Sequence, residues 1–486
     1  MTTLTTPPTP TTTPPRTRPA LLLTAVLTGQ FMALLDVSVV NVAGPTLRTD
    51  LHATGSALQL VVSGYTIAYA ALIVTGARLG RTLGTRRLFL TGLAVFTAAS
   101  LACGLAPGTG TLITARAIQG TGAALMVPQV LVFIQRTFDG TARARALGLY
   151  AAVIAGGAVA GQILGGLLVS ADLFGWSWRP VFLVNVPVGL ALLALTPRLL
   201  PDDTPAPTTT RTRLRGLDLP GLLVVSPAML LTVVPLVLGH EHGWPLWGWL
   251  SIAAGGILFA AFARIEHTTE KHGGTPLVSG RLLRTPGVTP AAVTLLLTMT
   301  AYAGFLFTLA LYLQGTGPAG HDNGRGYTAL HAGLVFVSGA AAFALVSLNW
   351  QKTPARLHAL LPALAMPVVA AAYLALGWAQ HEHANQAVIM VALAAVGIPL
   401  GAAYSPVMAL GLRKVAPGDA PDAGGLLATV TQFGQVLGVA VFGSLYLGQA
   451  GNGAGHAAWI TALGMAAASL AATASAAVLH HGTRHA

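Results

Sequence analysis

The sequence predicts an all-α integral membrane protein of fourteen spans: two six-helix bundles with an additional pair of transmembrane helices between them. Three observations predict it. Of 486 residues, 54 % are hydrophobic and 8 % charged, where a soluble protein carries about 25 % charged residues. Fourteen apolar runs reach the roughly 20 residues of helix needed to cross a hydrocarbon core about 30 Å thick. GQILG at 161–165 recurs as GQVLG at 434–438, in the fifth and thirteenth runs, as expected of two bundles related by an axis along the membrane normal.

The runs follow in order. Residues 1–18 are Thr/Pro-rich and are expected to form a disordered cytoplasmic tail. Arg16 and Arg18 before the first run, 20–43, imitate a signal peptide, but that run contains Asp36, shows no small-residue cleavage site and precedes thirteen others. Runs at 57–77, 88–106, 111–135, 146–170 and 180–200 complete an N-terminal six-helix bundle over 19–200. The stretch 201–217, PDDTPAPTTTRTRLRGL, is a polar cytoplasmic linker, and 218–266 holds the inserted pair, with runs at 219–239 and 246–264. A cytoplasmic connection at 267–287 leads to the C-terminal bundle, 288–481, with runs at 288–313, 328–349, 356–378, 386–411, 424–448 and 457–479. The run at 246–264 is short and the one at 356–378 opens on Arg356 and His358, so twelve or thirteen spans is the alternative count.

The formal charge of +12 is explained by topology. With the N-terminus inside, 22 of the 26 Lys and Arg residues fall on the cytoplasmic side, and only Arg48, Arg116, Arg179 and Arg325 fall elsewhere. That asymmetry is the positive-inside pattern, and no nucleic-acid partner is expected. Cys103 is the single cysteine, so no intramolecular disulfide forms.

Asp36 is the one acidic residue well inside a run, and Arg116 the one basic residue clearly inside one. Burying an acid at mid-span costs about 2.5–3.5 kcal/mol on insertion scales, so Asp36 needs a partner. Counted at about 1.5 Å per residue from the outer ends of their runs, both residues lie roughly 8–10 Å deep. An Asp36–Arg116 pair facing an internal cavity is expected. Arginine favours a carboxylate's charged form and burial its neutral form, an opposition suited to a group that takes up and releases a proton; a static clamp between two helices is the alternative.

Here the chain resembles the major facilitator superfamily, and within it the fourteen-span drug:proton antiporters (EmrB/QacA-like). LLDVSVVNVAGP at 34–45 is similar to their first-helix motif through Asp36, Asn41 and Pro45, with Ser38 and Gly44 where Thr and Leu are usual. ARAIQGTGAA at 115–124 is similar to the fourth-helix motif through Arg116, Gly120 and Gly122; WRPVFLVNVPVG at 178–189, PLV at 276–278, LYLQ at 311–314 and the Gln432/Gly434/Gly438 pattern also match. The resemblance implies a proton-coupled exporter of hydrophobic small molecules working by alternating access, with Asp36 and Arg116 coupling the proton. It further implies a bacterial cell-membrane protein with both termini cytoplasmic, functional as a monomer and needing no cofactor. No acid stands in the cavity-forming helices of the second half, which favours neutral or monocationic substrates over dications. An exporter of an endogenous metabolite or amino acid is the alternative on the same scaffold.

The pattern has two departures. ARLGRTLGTRR at 77–87 keeps Gly84, Arg86 and Arg87 of the loop signature between the second and third helices, but Ala77 replaces its leading glycine and Arg81 stands at its aspartate. In AGGAVAGQILGG at 155–166, Gly157, Gly161 and Gly165 recur every fourth residue and form a face on which another helix packs at backbone distance. With Gly148 and Gly166 they resemble the antiporters' fifth-helix motif, Gln162 replacing its proline. That face is expected to meet the second half of the bundle, and Gln162 and its counterpart Gln435 to serve packing there.

Candidate cavity residues are Gln30, Phe31, Asn41, Tyr65, Gln119, Tyr302, Tyr312, Gln314 and Gln432, since cavities combine aromatics with a few polar groups. GHEHGW at 239–244 and QHEHAN at 380–385 are read as solvated loops, and no metal site is assigned. There is no Gly-Lys-Ser/Thr phosphate loop, nor, apart from those histidine loops, a nucleophile or acid/base cluster of the kind an integral membrane enzyme needs.

Overall fold

The computed structural model describes residues 19–53, 55–201, 219–239, 243–272, 276, 280–315, 324–416 and 419–484. Those residues are helical with short connections and contain no strand. In chain order the long helices are α1 (Pro19–Asp50), α2 (Gly55–Leu83), α3 (Thr85–Gly104), α4 (Thr109–Thr137), α5 (Gly140–Ala171) and α6 (Pro180–Leu199, interrupted at Val184). Then come α7 (Leu219–Leu238), α8 (Leu246–Lys271), α9 (Val288–Gln314) and α10 (Ala329–Asn349). Last are α11 (Leu361–His381), α12 (Gln386–Leu412), α13 (Ala420–Gln449) and α14 (Ala454–Arg484).

Among the described residues, eleven helices are long and apolar enough to cross a membrane. Both runs that the sequence left in question, now α8 and α11, are among them, while α2 and α7 contribute shorter apolar stretches, Ser63–Ile73 and Leu223–Leu236. Several helices outrun their apolar stretches. The first run ends at 43 by hydropathy, yet α1 continues to Asp50, and α8 continues through the polar IEHTTEK to Lys271.

The same helix pairings occur twice. In the first half α1 packs on α5, α2 on α4, α3 on α4, and α3 on α6; in the second α9 packs on α13, α10 on α12, α11 on α12, and α11 on α14. The halves meet where α5 packs on α10 and α4 and α2 on α13, while α7 leans on α2 and α13 and carries α8 outside it.

Glycines set these approaches. A Cβ on Gly161 would lie 2.6 Å from the Leu35 carbonyl oxygen of α1, and one on Gly434 2.8 Å from the Leu296 carbonyl oxygen of α9. The GQILG/GQVLG match therefore marks one backbone contact made in both halves. This corrects the expected placement of the glycine face. Gly157 and Gly161 meet Leu34 and Leu35 of α1 in their own half, whereas the second half is met by Gly148, beside the Ser347 carbonyl, and by Ile163, beside Gly333. Helical geometry gives the reason: at about 3.6 residues per turn, the nine residues from Gly148 to Gly157 span two and a half turns and place them on opposite sides of α5. Gly165 and Gly166 are buried. Because the obstacle to a Cβ at Gly161 is backbone, Gly161→Ala is expected to destabilise by about 1–3 kcal/mol, read as a lower thermal midpoint of the purified protein; an unchanged midpoint would contradict this contact.

Candidate functional site

Local sequence places three polar side chains around one carboxylate. Arg116 and Gln119 are three residues apart on α4 and so share a face; both are fully buried. Pro187 has no N–H to offer the Leu183 carbonyl, and the helix breaks at Val184, so that Asn185 opens its second segment. Asp36 on α1 is fully buried between them.

Both oxygens of the carboxylate are engaged. Asp36 Oδ2 accepts from Arg116 Nη1 in an ion pair. Asp36 Oδ1 accepts from Gln119 Nε2 at 2.7 Å and from Asn185 Nδ2 at 3.0 Å. Gln119 Oε1 accepts from Arg116 Nη1 at 2.7 Å, and its Nε2 also lies 2.7 Å from Ser100 Oγ. These partners fix the amide's orientation, since guanidinium only donates and carboxylate only accepts. Arg116 is held further by Nε donating to the Val61 carbonyl at 3.1 Å and by the Tyr65 and Phe182 rings, whose centroids lie 4.7 and 5.7 Å from its guanidinium carbon.

Beside this cluster lies a cavity of about 230 Å³ between the halves, which α7 reaches through Leu236. Gln30, Ala33, Leu34 and Val37 line it from one face of α1, Tyr65 and Tyr69 from α2, Tyr302 and Phe307 from α9, and Gln435, Val439 and Ser444 from α13. Among the described residues, no charged side chain lines it. Tyr65 belongs to both places: its ring lines the cavity and covers Arg116, and its hydroxyl donates to the Ala33 carbonyl at 3.2 Å.

Of the residues expected in the cavity, Gln30, Tyr65 and Tyr302 line it. Gln119 instead binds Asp36, Phe31 sits near Gly157, and Tyr312 is buried with its hydroxyl donating to the Gln380 carbonyl at 2.9 Å. Gln314 ends α9 off the lining, and the side chains of Asn41, Gln162 and Gln432 lie outside the described residues. Gln435, expected only to pack, lines the cavity. Gln435 follows Gly434 by one residue, so it points about 100° around α13 from the glycine contact.

In the loop signature, Gly84 has φ +105° between α2 and α3, a conformation that favours glycine. Arg86 donates to the Pro197 carbonyl near the end of α6, where a cation also meets the negative end of the helix dipole. Arg87 is exposed, and the Arg81 side chain lies outside the described residues. Of the histidine loops, 240–242 is also outside them, while His381 Nδ1 lies 3.4 Å from Glu382 Oε1 at an exposed site.

Sequence reasoning missed Asn185 and Ser100. Asn185 stands in the quoted WRPVFLVNVPVG, but it is neutral, and the cost of burying a charge that singled out Asp36 does not mark it.

Comparison with known proteins agrees with this architecture. The solved proton:xylose symporter XylE superposes with a TM-score of 0.62 at 14 % identity, covering 93 % of this chain and 94 % of its own. The human organic anion transporter MFSD10 gives 0.60 at 15 %, covering 94 % and 99 %. At these identities the likeness shows the fold alone. A probable actinorhodin transporter of Streptomyces coelicolor is 35 % identical over 90 % of this chain and 74 % of its own. The cephamycin export protein CmcT of Amycolatopsis lactamdurans is 36 % identical over 86 % and 83 %, and the multidrug resistance protein Stp of Mycobacterium tuberculosis 31 % over 91 % and 77 %. The Major Facilitator Superfamily profile matches residues 26–439. With that match across most of its length, the chain belongs to the Major Facilitator Superfamily, a family of multi-pass membrane transporters.

Proposed function

We propose that this transporter is a proton-coupled antiporter of the fourteen-span branch, exporting hydrophobic small molecules across the bacterial cell membrane as a monomer with both termini inside. The observation that carries the reading is the contact through Tyr65 between the cavity and a buried, hydrogen-bonded acid. Relatives named for export of cephamycin and for multidrug resistance support the export part.

Protonation of Asp36 removes half of the ion pair and frees Arg116 to change partners. Because Arg116 lies against Tyr65, and Asp36 shares α1 with Gln30, Ala33, Leu34 and Val37, that change reaches the cavity wall directly. The bound compound and the proton then favour different arrangements of α1 against α2 and α4, which is what exchange in opposite directions requires.

Inside-out membrane vesicles with an acidic lumen test this. A panel of neutral and cationic hydrophobic dyes is expected to include compounds that accumulate in the lumen, with a protonophore abolishing the accumulation. Accumulation in the opposite sense, or export indifferent to the protonophore, would overturn the assignment. A chain that moved only metabolites or amino acids would favour the other exporter reading.

A further inference from the structure

Several hydroxyls on the cavity wall are already used. Tyr65, Ser38 and Ser444 are committed to backbone, their hydroxyls donating to the carbonyls of Ala33, Leu34 and Leu236. Two amides are not. Gln30 on α1 is fully buried, and neither its Oε1 nor its Nε2 has a hydrogen-bond partner; on α13, in the opposite half, the buried Nε2 of Gln435 has none either. Both residues line the cavity. A buried amide without partners is unfavourable, and native proteins seldom retain one without use.

We propose that Gln30 and Gln435 are the specificity-determining residues of this cavity. They select neutral compounds that combine an apolar body with an amide-like edge, one acceptor and one donor. The inference rests on the reading that the cavity holds the exported compound. It goes beyond that reading by assigning the polar recognition to these two side chains and by excluding cations as preferred substrates. Among the described residues the cavity lining has no carboxylate, and Asp36, the nearby acid, is occupied by Arg116, Gln119 and Asn185, so a cation entering would lose hydration without gaining a counter-charge. A purely apolar compound would leave both amides unpaired. A neutral compound with both functions satisfies Gln30 from one half and Gln435 from the other, and so engages both bundles at once.

Three probes of nearly equal shape separate these cases: benzanilide, a secondary amide; trans-stilbene, its hydrocarbon counterpart; and N-methyl-4-styrylpyridinium, a cation. Equilibrium dialysis against the full chain in lipid nanodiscs, corrected for empty nanodiscs, is expected to show benzanilide bound about tenfold more tightly than either other probe. Gln30→Met and Gln435→Met, which keep side-chain length and remove the amide, are each expected to weaken benzanilide about tenfold and to leave stilbene unchanged. Retained stilbene binding also shows that the variants are folded. Equal wild-type affinity for benzanilide and stilbene, no binding of benzanilide, preference for the pyridinium, unchanged benzanilide binding in both variants, or parallel loss of both neutral probes would each overturn the proposal. Dialysis needs no proton gradient, so a chain that discriminates among these probes and exports none of them would sink the proposed transport while leaving the recognition intact.

Discussion

Asp36→Asn is expected to reduce pH-gradient-driven accumulation in inside-out vesicles to the level seen with a protonophore, and to destabilise the protein by about 3–5 kcal/mol. The functional loss follows if Asp36 carries the proton, because asparagine does not titrate. The loss of stability follows from the geometry alone. Arg116 is fully buried, and its guanidinium cannot shed its charge; without the carboxylate it keeps the Val61 carbonyl, Gln119 and the ring faces of Tyr65 and Phe182. The new amide also meets its neighbours badly. Whichever way it turns, its NH2 faces a donor: Gln119 Nε2 and Asn185 Nδ2 on one side, Arg116 Nη1 on the other. Asp36→Glu separates the two effects, since it keeps an acid in a tight site; partial recovery of gradient-driven export is expected despite lowered stability. Normal coupling in Asp36→Asn would remove the residue from the proton path.

The parts of this arrangement that could be read in the sequence are those that depend on one residue's cost or on chain length. Apolar runs announce helices because the bilayer core demands about 20 residues, but hydropathy is silent once a helix leaves the core, and α1 therefore runs seven residues past its apolar run, from 43 to Asp50. Asp36 and Arg116 stood out because a charge in an apolar run is expensive, and their shared depth pointed to each other. Asn185 and Ser100 did not, because a neutral polar residue in an apolar helix is common and its partner is fixed only by packing. Gln119 illustrates a middle case: its spacing from Arg116 places both on one face, yet nothing local says whether that face looks into the cavity or onto α1. The repeat was legible for a related reason. Two copies of a backbone contact preserve Gly161 and Gly434, while Gln435, one residue after Gly434, points elsewhere and serves another purpose on the cavity wall.

Arg116→Met is expected to behave differently from Asp36→Asn because it removes the cation and keeps the acid. Removing the guanidinium leaves a buried carboxylate that keeps Gln119 and Asn185 as donors. It also takes a donor from the Val61 carbonyl and a cation from the face of Tyr65. The carboxylate has then lost its counter-charge, and the destabilisation should approach the about 3–5 kcal/mol of a broken buried pair. Gradient-driven accumulation in inside-out vesicles, compared at equal amounts of folded protein, should nevertheless persist in part in Arg116→Met, which keeps the acid, and be absent in Asp36→Asn, which does not. Equal retention of gradient-driven export in the two variants would mean that Asp36 does not carry the proton. The cluster would then be a fixed clamp between α1 and α4, and the driving ion would have to enter elsewhere.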